Sequence, residues 1–274
     1  MKGLRPEGIT AALLLMAIIA ANIFAPILSP YPPNEVHMKD RLQGPSPTYP
    51  LGTDALGRDM LSRALYGGRA SILLALGATV LSMLAGVIMG VLAGFYGGAM
   101  DWLITTVTNI FQGLPGTCFT IAIAGVLGPG NLNLMLALVI TSWAGFSRIV
   151  RTEVMKLKEE PYIESLRCLG CGDMRLILRH ILPGMLSSTL VLFTTRVGRA
   201  LLSIASLSFL GLGVRPPTPD WSVMINDARL NYRSAPHLVL VPGACLFLTL
   251  LAVNLLGDAL RDYFDIKNRE VRSD

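Results

Sequence analysis

Uncharged apolar stretches too long for a water-soluble core are the feature that most constrains this chain. No Asp, Glu, Lys or Arg occurs between Trp102 and Ser147, and Ala70 to Met100 is equally uncharged. A helix needs about 20 mostly apolar residues to cross the hydrocarbon layer of a bilayer. Of the whole chain, 52% is hydrophobic and only 15% is charged, whereas soluble domains carry roughly a quarter of their residues as charges. The sequence therefore predicts an all-α, polytopic integral membrane protein.

Six membrane-spanning helices are predicted from these stretches. They lie at Ile9–Leu28, within Ala70–Met100, twice within Trp102–Ser147, near Met185–Ser208 and near Leu238–Gly257. The glycine and proline residues at 128–131 predict the turn between the third and fourth spans. Pro115 and Pro242 fall inside predicted spans, where neighbouring helices can satisfy the freed carbonyls. The first apolar run is longer than that of a signal peptide and further spans follow it, so we expect an uncleaved helix.

The spans divide the chain into successive segments. These are a tail and first helix at 1–28, an extracytoplasmic loop at 29–69, a membrane core at 70–262 with a cytoplasmic loop at 151–183, and a tail at 263–274. Thirteen Lys and Arg residues lie on the side of the termini and eight on the other. The positive-inside rule then places both termini in the cytoplasm. Because the basic residues lie beside apolar runs, the net charge of +5 reflects topology and lipid headgroups, and nucleic-acid binding is not expected.

Two outer loops are predicted to differ in character. Residues 29–69 begin with a proline-rich stretch that favours an extended layer over the outer face. The loop at 214–236 contains Trp221 within another proline-rich stretch. This loop fits either a rigid turn with an interfacial tryptophan or a contact surface for an external delivery protein or gate.

A polar, basic segment between two spans is the main candidate for function. Pro161 and Glu164 suit the first turn of a short helix. Gly170 and Gly172 then predict a turn, after which Asp173 is expected to cap a second helix that ends at Pro183. In that helix Met174, Ile177, Leu178 and Ile181 are predicted to form an apolar stripe, with Arg175 and Arg179 on the opposite side.

This segment resembles the EAA loop of ATP-binding-cassette (ABC) importer permeases. The resemblance is carried by Glu164, Gly170, Leu182 and Pro183, while Ser165 and Leu166 stand where the family has alanines. Further motifs, at 51–63, 207–213 and 254–262, are similar to those of the dipeptide, oligopeptide and nickel permease family. The resemblance implies that Glu164, Gly170, Asp173, Arg175, Arg179, Leu182 and Pro183 couple the permease to an ATPase.

The same resemblance implies the partners. They are a second homologous permease, two cytoplasmic ATP-binding subunits that hold ATP and Mg²⁺, and an extracytoplasmic solute-binding protein. The chain contains no G-x-x-x-x-G-K-[ST] phosphate loop, so we expect a non-catalytic subunit that binds no cofactor itself. The resemblance also implies that it lies in a bacterial or archaeal plasma membrane.

Arg196 and Arg199 are the unusual residues of the fifth span, because no acidic residue is predicted within any span to neutralise them. Buried unpaired guanidinium groups are costly, so both should face water, cargo or the partner permease rather than lipid. They fit a translocation path for carboxylate-bearing cargo. Snorkelling, or a salt bridge to the partner permease, fits them equally well.

The sequence leaves alternatives open for both the cargo and the class of transporter. The motifs favour peptides, with nickel or a metal chelate as the alternative cargo and an ion-coupled secondary transporter as the alternative class. Cys168 and Cys171 form a C-x-x-C pair without a second ligand pair at zinc spacing, so neither a metal site nor a membrane thiol enzyme is expected.

Overall fold

The computed structural model describes residues 6–271, with side chains to residue 264, and its elements are helical. In chain order the helices are α1 (Pro6–Ile23), α2 (Ala25–Leu28), α3 (Met60–Tyr96), α4 (Gly98–Gly113), α5 (Gly116–Leu127), α6 (Asn131–Lys158), α7 (Pro161–Cys168), α8 (Asp173–Leu176), α9 (Leu182–Phe209), α10 (Trp221–Asp227) and α11 (His237–Val271). Within this part of the chain there is no strand, only one isolated bridge between Thr53 and Asp59. The all-α prediction is confirmed. Of the basic residues predicted to lie in the cytoplasm, Lys2, Arg5 and Arg272 fall outside the described residues.

Five helical units in residues 6–271 are long and apolar enough to cross a membrane. They are α1, α3, α6, the unit from α8 through α9, and α11. The sixth candidate is the pair α4 and α5, which bend by 91° relative to each other. Helix α3 begins at Met60, inside the loop predicted at 29–69, and α11 continues to Val271, beyond the predicted sixth span.

The third span is interrupted because Pro115 cannot continue helix α4. Leu114, the residue before it, has extended backbone angles (φ −83°, ψ 140°), as expected from the clash with the proline ring. Pro115 then precedes the first turn of α5. Pro242, by contrast, is accommodated inside the continuous helix α11, as predicted.

Helices α3 and α6 approach each other closely along a glycine stripe. Gly86, Gly90 and Gly94 lie one turn apart on α3, and a Cβ atom on any of them would come within 2.3–2.8 Å of atoms of α6. The nearest atoms include the Cβ of Phe146 and the backbone oxygen of Arg151. Since lipid provides no hydrophobic driving force between helices, such close backbone contact is what stabilises the pair.

The first outer segment is a folded module, so the predicted extended layer is wrong. Its chain reverses at Gly57, whose φ of +74° suits glycine, and a Cβ atom there would lie only 1.9 Å from the backbone oxygen of His37. The Thr53 amide donates to the carbonyl of Gln43 at 3.0 Å. This turn and the hydrogen bonds between separate parts of the segment hold the proline-rich stretch against the start of α3. The stretch therefore does not lie flat and extended.

The second outer loop is tied to α3 by buried polar contacts. The Asp220 carboxylate caps α10 by accepting hydrogen bonds from the Ser222 and Val223 amides, and it accepts another from Ser71 Oγ at 2.5 Å. The Trp221 indole is 1% exposed and donates to the Ala64 carbonyl at 2.8 Å. The expectation of an interfacial tryptophan is therefore wrong: Trp221 belongs to the packed interior of the outer face.

Two substitutions of Asp220 should distinguish its role as a helix cap from the effect of its negative charge. Burial raises the pKa of this carboxyl group because it disfavours the charged form. Asp220→Asn keeps an acceptor for the α10 amides and should change stability by less than about 0.5 kcal/mol, whereas Asp220→Ala should cost about 1–2 kcal/mol. Thermal unfolding midpoints of the detergent-solubilised variants measure the difference. Equal midpoints for Asn and Ala would contradict the capping role.

Candidate functional site

Residues 161–183, here called the elbow, connect α6 to α9 and are largely exposed. Helix α7 starts at Pro161, and Glu164 lies in its first turn, as predicted. Glu164, Gly170, Asp173, Arg175, Arg179 and Pro183 are all exposed, and Leu182 is half-buried. The elbow therefore presents nearly all of the predicted coupling residues to its surroundings.

The turn at Gly170 requires a left-handed backbone. Its φ is +80°, and the amides of Gly170 and Cys171 donate to the carbonyls of Arg167 and Leu166 at 3.0 Å. This is the hydrogen-bond pattern of a Schellman helix end, which favours glycine. A Cβ atom at Gly170 would meet nothing within 4 Å, so the constraint is conformational and not a lack of space.

Two expectations about the second elbow helix are wrong. Gly172, and not Asp173, occupies the N-cap position of α8, and Asp173 is the first helical residue. Pro183 does not end the helix, since α8 runs through a π-helical segment, Ile177–Ile181, directly into α9. The wider turn of this segment, closed by a hydrogen bond from the Leu182 amide to the Ile177 carbonyl, provides room for a proline without breaking the helix.

The apolar stripe of this helix is only partly as predicted. Leu176, Ile177 and Ile181 are buried against the ends of α3 and α6. Met174 and Leu178, which were expected to share that face, are 65% and 58% exposed. The helix packs through the side that carries Leu176 and Ile177, so Met174 and Leu178 point away from the chain's own core.

Cation contacts join the elbow to α3 and hold the ends of α3, α4 and α6 together beside it. The Arg167 guanidinium of the elbow lies 5.5 Å from the centre of the Phe95 ring of α3. Next to it, the Lys158 ammonium of α6 donates to the Phe95 carbonyl at 2.6 Å, and Arg151 of α6 makes a two-point contact with Asp101 of α4, with Nη2 and Oδ2 2.6 Å apart. The elbow is thus attached to α3 at a place where α6 is itself tied to α3 and α4.

Arg196 and Arg199 face a small polar cavity of about 50 Å³ between α3, α6 and α9. Hydroxyl groups of Thr79, Ser82, Ser142 and Ser203 share this lining. The Arg196 guanidinium lies 5.6 Å from the centre of the Phe146 ring, while Arg199 is exposed. Among the residues that the structure describes, no carboxylate is within ion-pair distance of either arginine.

A charged cluster on the outer face was not predicted from the sequence. Asp54, Arg58 and Arg63 of the first outer segment come together with Asp227 of the second outer loop. The motif at 51–63 contained the signal, but the pairing with Asp227 depends on tertiary structure. His237 also has a role that the sequence did not indicate, since its Nε2 lies 3.2 Å from the Thr53 carbonyl oxygen. The C-x-x-C residues stay at the elbow turn, with Cys168 exposed and Cys171 half-buried.

The chain is similar to a known protein family and to named members of it. Residues 86–270 match the family described as binding-protein-dependent transport system inner membrane component. A glutathione transport system permease protein GsiD from Pectobacterium atrosepticum is 42% identical over 261 residues, covering 95% of this chain and 87% of the relative. Its counterpart from Escherichia coli is 44% identical, with 95% and 86% covered.

A solved structure agrees at the level of the fold. The inward-facing MetNI methionine ABC transporter contains a chain that superposes with a TM-score of 0.58 at 16% identity, covering 74% of this chain and 97% of that one. The identities to the permeases and the long family match together exceed what a shared fold alone would give. The chain therefore belongs to the binding-protein-dependent transport system inner membrane component family and is a multi-pass inner membrane permease subunit of an ABC importer.

Proposed function

We propose that this permease forms half of a translocation path for small peptides, and that it is driven through its elbow by an ATPase. The observation that carries the proposal is the pair of exposed apolar side chains, Met174 and Leu178, on an elbow packed against the ends of α3 and α6. Exposed apolar groups at a fixed position suit a protein partner. Because the sequence has no phosphate loop, the nucleotide is assigned to that partner.

The full assembly that we infer has five subunits around one path, this permease included. A second homologous permease completes the path, two cytoplasmic subunits bind ATP and Mg²⁺, and an extracytoplasmic protein delivers the solute. Both termini and the elbow are assigned to the cytoplasmic side. Peptides are favoured over nickel or a metal chelate, because the relatives described above are named as glutathione permeases and glutathione is a peptide-like solute.

Removing the apolar contact should uncouple the permease from ATP. Fully burying a leucine or methionine side chain stabilises an interface by about 1.5–3 kcal/mol, so Met174→Ser with Leu178→Ser should weaken binding of the ATPase subunits at least about tenfold. ATP-driven uptake of a tripeptide into proteoliposomes should fall with it. Met38→Ser, at an exposed methionine of the outer segment, is the matched control. Uptake driven by an ion gradient without ATP would instead support a secondary transporter.

Coupling should also depend on the backbone at Gly170. A left-handed conformation costs an ordinary residue about 1–2 kcal/mol, while asparagine adopts it more readily. We therefore expect Gly170→Val to lower the number of peptides transported per ATP hydrolysed several-fold, and Gly170→Asn to retain most of it. Parallel uptake and phosphate-release assays measure the ratio. If Val and Asn behave alike, the turn geometry does not matter for coupling.

If Arg199 lines the path, it should recognise carboxylates. Arg199→Gln removes the charge and should raise the KM for tripeptide uptake about tenfold, the range expected for loss of a charge-assisted hydrogen bond, and Arg199→Lys should be milder. A C-terminally amidated tripeptide should show a smaller difference between the variants. Equal effects on the acid and the amide would instead indicate packing against the partner permease.

A further inference from the structure

A cavity of about 690 Å³ opens on the outer face between the two outer loops. One wall comes from the first outer segment and the start of α3, and the other from α10 and the residues that follow it. The lining includes five charged residues: Asp54, Arg58, Arg63, Asp227 and Arg229. Cavities that hold small ligands measure about 300–1,000 Å³, so this one is large enough for a tripeptide.

Both carboxylate oxygens of Asp54 already have hydrogen-bond or ion-pair partners. Its Oδ1 accepts hydrogen bonds from the Leu56 and Arg58 amides. Its Oδ2 lies 2.6 Å from Arg58 Nε and 3.6 Å from Arg63 Nε. One carboxylate therefore serves two guanidinium groups, and little of its capacity is left for the outer nitrogens of Arg58.

Both guanidinium groups are buried, and they share one closely placed carboxylate, that of Asp54. Arg58 is 8% exposed and Arg63 is 2% exposed. Arg63 directs Nη1 to the Pro33 carbonyl at 3.2 Å. The Nη2 of Arg58 has Asp227 as its acidic neighbour across the cavity, but at 3.9 Å, which is too long for a hydrogen bond. Asp54 therefore pairs with Nε of Arg58, while Nη2 faces the cavity with the Asp227 carboxylate at 3.9 Å. Such a guanidinium edge is a strong site for a second carboxylate.

Asp227 is suited to be displaced. Its side chain is about half exposed, unlike those of Asp54 and Arg63, so it can turn to solvent at little cost. Three arginines against two aspartates also leave the lining with a net positive charge, which favours an anionic ligand over a cation.

We propose that this cavity binds a free carboxylate of the peptide-like solute at the outer face of the permease. The Nη groups of Arg58 donate to the incoming carboxylate, Arg63 adds the second positive charge, and Asp227 moves aside. The ligand class rests on the proposed peptide transport. The cavity is separate from the elbow and from the polar cavity at Arg196 and Arg199.

Variants of Arg58 and Asp227 should shift binding in opposite directions. The measurement is calorimetric binding of a free tripeptide to the full permease–ATPase complex in lipid nanodiscs, without the solute-binding protein. Arg58→Gln should weaken binding at least about tenfold. Asp227→Asn removes the competing carboxylate and should tighten binding about two- to fivefold, the range of an exposed ion pair. Arg41→Gln, which removes an exposed charge from the same outer segment, should leave binding unchanged.

Other outcomes would overturn the proposal. If Asp227→Asn weakens binding as much as Arg58→Gln does, the cluster is a structural latch between the loops. If both variants change the affinity of the solute-binding protein and leave tripeptide binding unaltered, the cavity is a docking surface. Unfolding midpoints show whether Arg58→Gln folds, and Asp227→Asn tests the idea independently of it. ATP-driven peptide uptake by the unaltered complex would still support the proposed function if this site failed.

Discussion

The close approach of α3 and α6 is the contact on which the rest of the molecule depends. Lipid is as apolar as leucine, so two helices in a bilayer gain little from hiding apolar surface and must gain from tight packing. Gly86, Gly90 and Gly94 remove the side chains that would hold the backbones apart. Helix α3 also carries the contacts of both outer loops at one end, and at its other end it packs with α6 against the elbow. The glycine contact therefore lies between the outer face and the elbow.

The outer face shows how polar groups can hold a membrane protein together outside the hydrocarbon layer. Helix α3 extends beyond the predicted span and presents Arg63, Ala64 and Ser71 to the two loops. Each contact pairs a buried donor with a backbone or carboxylate acceptor, so burial costs little. The loops are thereby fixed as one surface, and their shared charged cavity follows from this arrangement.

The sequence predicted what depends on composition and missed what depends on phase and tertiary contact. The spans, the turn at 128–131 and the elbow followed from apolar length and glycine placement, because a bilayer allows few alternatives for the backbone. The exposure of Met174 and Leu178 did not follow, since the spacing of apolar residues indicates a face but not which helices will pack against it. Asp227 reaches Arg58 only through the folded loops, and nothing local in the sequence encodes that contact.

Helix continuity from Asp173 to Phe209 connects the elbow directly to the arginines in the membrane. This unit has 37 residues, and at 1.5 Å per residue a rigid helix of that length spans about 55 Å. Arg196 and Arg199 lie in its second half, where they line the small polar cavity with Phe146. The π-helical segment lies between Met174 and these arginines, next to Pro183. A helix bends most readily at such a place, so the base of α9 is where the direction of this unit is most easily changed.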